Sequence, residues 1–150
     1  MNITPHFQLE EFIASSKATE LGIDNTMPDK YFPNLKRLSE LLEQVREILG
    51  HSIHINSGYR RPELNRAVGG SALSQHMEGL AADIICPSFG NALAVCNAIA
   101  KSDLPFDQVI YERTWCHVSI TNKGLVPRRE VLTAHFEPGK KTTYTEGLEA

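Results

Sequence analysis

Apolar residues recur at helical spacing in one long stretch of the chain. Leu35, Leu38, Leu41, Leu42, Val45, Ile48 and Leu49 follow the i, i+3, i+4, i+7 pattern. The pattern predicts a helix over 34–49, with Asn34 as its N-cap and Gly50 just past its end. Lys36, Arg37, Glu40, Glu43, Arg46 and Glu47 fall on the other face, as in an amphipathic helix packed on a core. Residues 9–15 suggest a brief helix with Phe12 and Ile13 inward, and Gly22, Asn25 and Pro28 break up the stretch after it. Ser52 to Asn56 alternates around Ile53 and Ile55 and predicts a strand. A short helix over 62–68 opens on Pro62, and Asn91 to Ala100 has helical apolar spacing. Ala82–Cys86, Gln108–Tyr111 and Cys116–Ile120 read as strands, the last two as an antiparallel hairpin across Glu112–Trp115. Glu130 to Phe136 predicts an edge strand, and Pro138 to Ala150 reads as a tail. Helices first and strands later predict an α+β fold with a small antiparallel sheet and flanking helices.

Composition narrows the class. The chain has 150 residues, a size expected to form one domain over 1–150, its core at about 5–136. The net charge of −3 gives no basic footprint for nucleic acid. No apolar run is long enough to span a membrane, and residues 1–12 do not resemble a signal peptide. A monomer made in the cytoplasm is expected. Three cysteines without a CxxC pair suit reduced thiols. Six histidines remain to be explained.

Two segments carry candidate chemistry. Ser74-Gln75-His76-Met77-Glu78-Gly79-Leu80-Ala81-Ala82-Asp83 puts a histidine in a loop, a glycine where the chain can turn, and an aspartate on a strand. Trp115-Cys116-His117 adds a second histidine on another strand. Two imidazoles and a carboxylate form a three-donor set with an open fourth position, the arrangement of a catalytic rather than a structural zinc. By spacing alone, loop capping or a satisfied core would explain these residues as well.

The order of Ser57-Gly58-Tyr59-Arg60, Gly69-Gly70-Ser71, Ser74-x-His76-x-x-Gly79-x-Ala81-x-Asp83 and Trp115-x-His117-x-Ser119 resembles the zinc D-alanyl-D-alanine peptidases of the M15 class. That class includes bacterial DD-carboxypeptidases and phage endolysins, and shares the Hedgehog/DD-peptidase fold. The resemblance implies that His76, Asp83 and His117 hold Zn²⁺, which would activate a water and polarise the scissile carbonyl. It implies that Arg60 steadies the substrate oxygen, as a permanently charged fork can. Ser74 matches a position that in some members bonds substrate; capping its own loop explains it equally well. Tyr59 and Trp115 are expected along the substrate cleft, although a core or rim tryptophan is as good a reading.

The general base departs from many members, which carry an acid three residues before the second histidine. Thr114 stands there and cannot take a proton. Glu112, at the end of the predicted strand 108–111, resembles the Tyr-Glu of Hedgehog-like and short phage-type members. Its rival reading is a turn glutamate paired with Arg113; Asp107 and Glu78 are lesser candidates. Cys86 and Cys116 read as small buried apolar residues, and His6, His51, His54 and His135 as outside the ligand set.

The resemblance implies hydrolysis in the peptidoglycan stem peptide, at D-Ala-D-Ala (carboxypeptidase) or at an L-Ala-D-Glu or cross-bridge bond (endopeptidase). It suggests a phage or prophage origin with release through a holin. A zinc-containing, non-catalytic wall-binding or phage tail module is the alternative.

Overall fold

The computed structural model describes residues 1–150. The first strands, β1 (Asn2–Thr4) and β2 (Phe7–Gln8), pair antiparallel as a small ribbon of their own. Two short helices follow, α1 (Leu9–Ile13) and α2 (Ser16–Leu21). Phe12 of α1 is fully buried. Ser15 caps α2, and Gly22 ends it in the left-handed conformation.

The long helix α3 (Phe32–Leu49) starts earlier than the apolar pattern predicts. Its N-cap is Tyr31 and Pro33 sits in the first turn, where the missing N–H has no partner to lose. Asn34 is therefore inside the helix, and its side chain donates instead to the Glu78 carbonyl at 3.0 Å. Leu35, Leu38, Leu41, Leu42, Val45 and Leu49 are buried as expected. Ile48 is 43% exposed, because it lies at the margin of the stripe.

The main sheet has six strands in the order β3-β4-β6-β5-β7-β8. They are β3 (His54–Ser57), β4 (Ala81–Ile85), β5 (Gln108–Tyr111), β6 (Cys116–Ser119), β7 (Glu130–His135) and β8 (Thr143–Glu146). Helices α4 (Pro62–Ala67) and α5 (Ala92–Ala100) lie in the connections. The α+β class holds, and so does the β5–β6 hairpin. Two expectations need correction. β7 is not an edge strand: it pairs parallel with β5, which makes the sheet mixed. Residues 138–150 are not simply a tail, since β8 pairs antiparallel with β7 and forms the sheet edge. All four residues of β8 are exposed, so no burial alternation marks the strand.

One face of the sheet supplies Ala82, Ile84, Val109, Cys116 and Val118 to a core shared with α3 and α5. The three cysteines are free and buried there or beside it. The central strands β4 and β6 are buried on both faces. Their second face, carrying Asp83 and His117, lies under the segment between β3 and β4. No helix is long and apolar enough to cross a membrane.

Candidate metal centre

Asp83 and His117 stand directly opposite each other on the antiparallel pair β4–β6. Directly paired residues point to the same face, so the register alone brings carboxylate and imidazole together. His76 comes from a single 3₁₀ turn, Gln75–Glu78, lying above that face. Ser74 caps the turn, its hydroxyl oxygen accepting the His76 N–H at 3.2 Å. Gly79 ends it at φ 71°, so the chain can enter β4 at once.

The three side chains converge. One donor atom from each of His76, Asp83 and His117 lies within 4.8 Å of the others, and all three residues are buried. Asp83 Oδ1 is 3.3 Å from His76 Nε2 and 3.0 Å from His117 Nδ1. A tetrahedral divalent ion with bonds of about 2.0–2.2 Å spaces its donors about 3.3–3.6 Å apart, so the set fits such an ion with little movement.

Protonation agrees with this use. His76 Nδ1 donates to the Gly58 carbonyl at 2.6 Å, which leaves the Nε2 lone pair facing the cluster. Burial pushes the His76 pKa down despite Asp83, favouring the neutral ring a metal requires. Burial alone would raise the Asp83 carboxyl, but the two imidazoles hold it far below the usual range. Burial likewise opposes charge on His117, yet its bond to Asp83 outweighs this and the net shift is upward. A metal and a proton would compete for the same His117 nitrogen.

Gly58 explains part of the Ser57–Arg60 motif. A Cβ there would stand 2.6 Å from the Phe12 carbonyl oxygen, so only glycine lets β3 end this close to α1. The same approach places the carbonyl that orients His76. Arg60 is 15% exposed at its side chain and points at Asp83, with Nη2 donating to Oδ2 at 3.2 Å. Its Nε donates to Ser57 at 3.1 Å and its Nη1 to Asn65 at 3.2 Å. A Cβ at position 70 would collide with the Asn65 amide oxygen, which ties Gly70 to this network. Sequence reasoning missed Asn65; its only signal was its place beside the glycine pair.

Glu112 also belongs to the cluster. Its Oε2 is 3.7 Å from His117 Nδ1 and accepts from Trp115 Nε1 at 3.2 Å. Period-two alternation explains the placement: Ile110 pairs with His117, and Glu112, two residues on, shares that face. Burial raises the Glu112 pKa, and the Trp115 bond pulls partly the other way. Arg113, at φ 71°, turns the hairpin and leaves Glu112 for β7, donating to the Ala134 carbonyl at 3.2 Å.

Several expected positions lie elsewhere. The Tyr59 ring is buried in the core, 6.1 Å from Tyr31, and is not brought to the cluster. Asp107 is taken up by Arg128 and Gln75. Glu78, His51 and His54 are exposed, His6 pairs with Glu43, and half-buried His135 bonds Arg113.

The cluster holds the donors of a metallopeptidase, with a carboxylate beside them. No curated protein matches the chain. Residues 5–119 match the family described as Peptidase M15, a stretch that includes all three donors and Glu112. The chain belongs to the peptidase M15 family.

Proposed function

We propose that this chain is a zinc-dependent peptidase that cuts a peptide bond in the stem peptide of peptidoglycan. The observation that carries the reading is the carboxylate of Glu112, 3.7 Å from His117 Nδ1 and oriented by Trp115. A non-catalytic wall-binding module would have no use for a desolvated acid at that place.

His76 Nε2, Asp83 Oδ1 and His117 Nδ1 would hold the zinc. When bound, it supplies an acidified water and a polarised scissile carbonyl. Glu112 takes a proton from the attacking water and returns it to the leaving amine. Its raised pKa suits both halves of that task. The Trp115 bond limits rotation of the carboxylate. Arg60 spends three N–H groups on Ser57, Asn65 and Asp83, and a guanidinium has five. The other two are available to the carbonyl oxygen as charge develops on it. Action at the cell wall, as a monomer in a phage or prophage setting with exit through a holin, belongs to the same proposal.

The test is mass spectrometry of purified muropeptides incubated with the zinc-loaded protein. Loss of one alanine identifies a carboxypeptidase, and a cut within the stem or cross-bridge an endopeptidase. Intact muropeptides beside stoichiometric zinc would overturn the enzyme reading.

A further inference from the structure

The C-terminal strand brings one more side chain to the face that carries the ligands. Tyr144 of β8 stands opposite Ala134 of β7. Leu132 of β7 pairs with Ile110 of β5, Ile110 with His117, and His117 with Asp83. Ala134 lies two residues beyond Leu132, as Glu112 lies two beyond Ile110. Asp83, His117, Glu112, Ala134 and Tyr144 therefore share one face, by register and alternation. Adjacent strands are about 4.8 Å apart, so β8 is roughly 10 Å from β5 at the level of Glu112. Ala134, a short residue, lies between them on this face, and a phenol is long enough to reach past it toward Glu112.

The electrostatics agree with this placement. Partial burial raises the Tyr144 pKa, and the negative charges of Glu112 and Asp83 raise it further. The phenol is thus an O–H donor at neutral pH. The residue is also 50% exposed, so a ligand can reach it. By the same register Ile110, Leu132 and Ala134 lie on this face between Tyr144 and His117, with Leu132 partly exposed, Ile110 and Ala134 covered, and Glu146 opposite Leu132.

We propose that Tyr144 is a substrate-binding residue of this site, its hydroxyl donating a hydrogen bond to a carbonyl or carboxylate oxygen of a peptide lying across β5 and β7. The proposal rests on the stem-peptide reading of the site.

Calorimetry of a soluble disaccharide pentapeptide binding to the zinc-loaded Glu112→Gln protein, with and without Tyr144→Phe, tests it apart from turnover. Loss of one such bond weakens binding about 3–10-fold. Tyr144→Phe alone raises KM by a similar factor, with melting temperature and zinc content unchanged. Tyr144→Ala costs more, since it also removes the ring. An amidated peptide separates the two acceptors: a penalty confined to the free acid identifies the carboxylate, and an equal penalty the carbonyl. If the wild type cleaves but Tyr144→Phe and Tyr144→Ala leave Kd and KM unchanged, Tyr144 has no such role. A fall in melting temperature or zinc content in Tyr144→Phe makes the residue structural and overturns the proposal too. A wild type that neither binds nor cleaves defeats the stem-peptide reading itself.

Discussion

The site has two flanks built on different terms. On the flank of β3, β4 and the 3₁₀ turn, Gly58, Arg60, Asn65, His76 and Asp83 are joined by bonds of 2.6–3.2 Å. On the flank of β5 and β6, the Glu112 carboxylate accepts one hydrogen bond, from Trp115, at 3.2 Å. Closely bonded groups cannot move without breaking several contacts at once. A singly bonded carboxylate can swing by the small distance that proton transfer requires. In the proposed mechanism the first flank, together with His117, fixes where a metal sits, and Glu112 moves the proton.

Substitutions can break this contrast in order of size. His76→Ala on the bonded flank removes a donor, and peptidase activity and bound metal are both lost, as checked by hydrolysis and elemental analysis. On the other flank, Glu112→Gln lowers kcat by about 10²–10⁴ while metal content stays at the wild-type level. The pH profile carries the same mark. Glu112 works ionised, so kcat/KM falls as pH drops through its raised pKa. The acid limb then lies above the value of about 4.3 typical of glutamate. A limb at or below that value would remove Glu112 from the role.

Gly58→Ala has a smaller effect than either His76→Ala or Glu112→Gln. It sets a methyl against the Phe12 backbone and costs about 1–3 kcal/mol of stability, read by denaturant unfolding. It displaces the His76 partner as well, so metal affinity falls with it. The smallest change is Trp115→Phe. It removes the bond that lowers the Glu112 pKa, and the acid limb moves further up in pH with a less than tenfold loss of kcat. Stability changes after Trp115→Phe larger than those after Gly58→Ala would erase the distinction between the flanks.

Much of the bonded flank was legible in the sequence. His76, Asp83, Arg60 and the glycines fall in short, ordered motifs whose resemblance to the M15 class marked them, whereas spacing alone left loop-capping and core readings open. Glu112 was legible because a four-residue hairpin loop returns the chain across from His117. The core position of Tyr59 was not, since it depends on β3 ending against α1, a contact between distant segments that ties the Tyr59 N–H to the Phe12 carbonyl. The parallel pairing of β7 with β5 was also hidden, because β6 intervenes in sequence and local patterning carries no partner information. β8 escaped for a different reason: Thr143, Tyr144, Thr145 and Glu146 are all exposed, and a strand without a buried side leaves no alternation to read.

The position of β7 and β8 has a consequence for engineering. Both come after residue 119, where the family match ends, and both lie on one side of the sheet beyond β5. The donors and Glu112 all precede them in the chain. β7 is bonded to β5 and belongs to the sheet interior, but the exposed residues of β8 can be varied without rethreading the segment that would hold a metal.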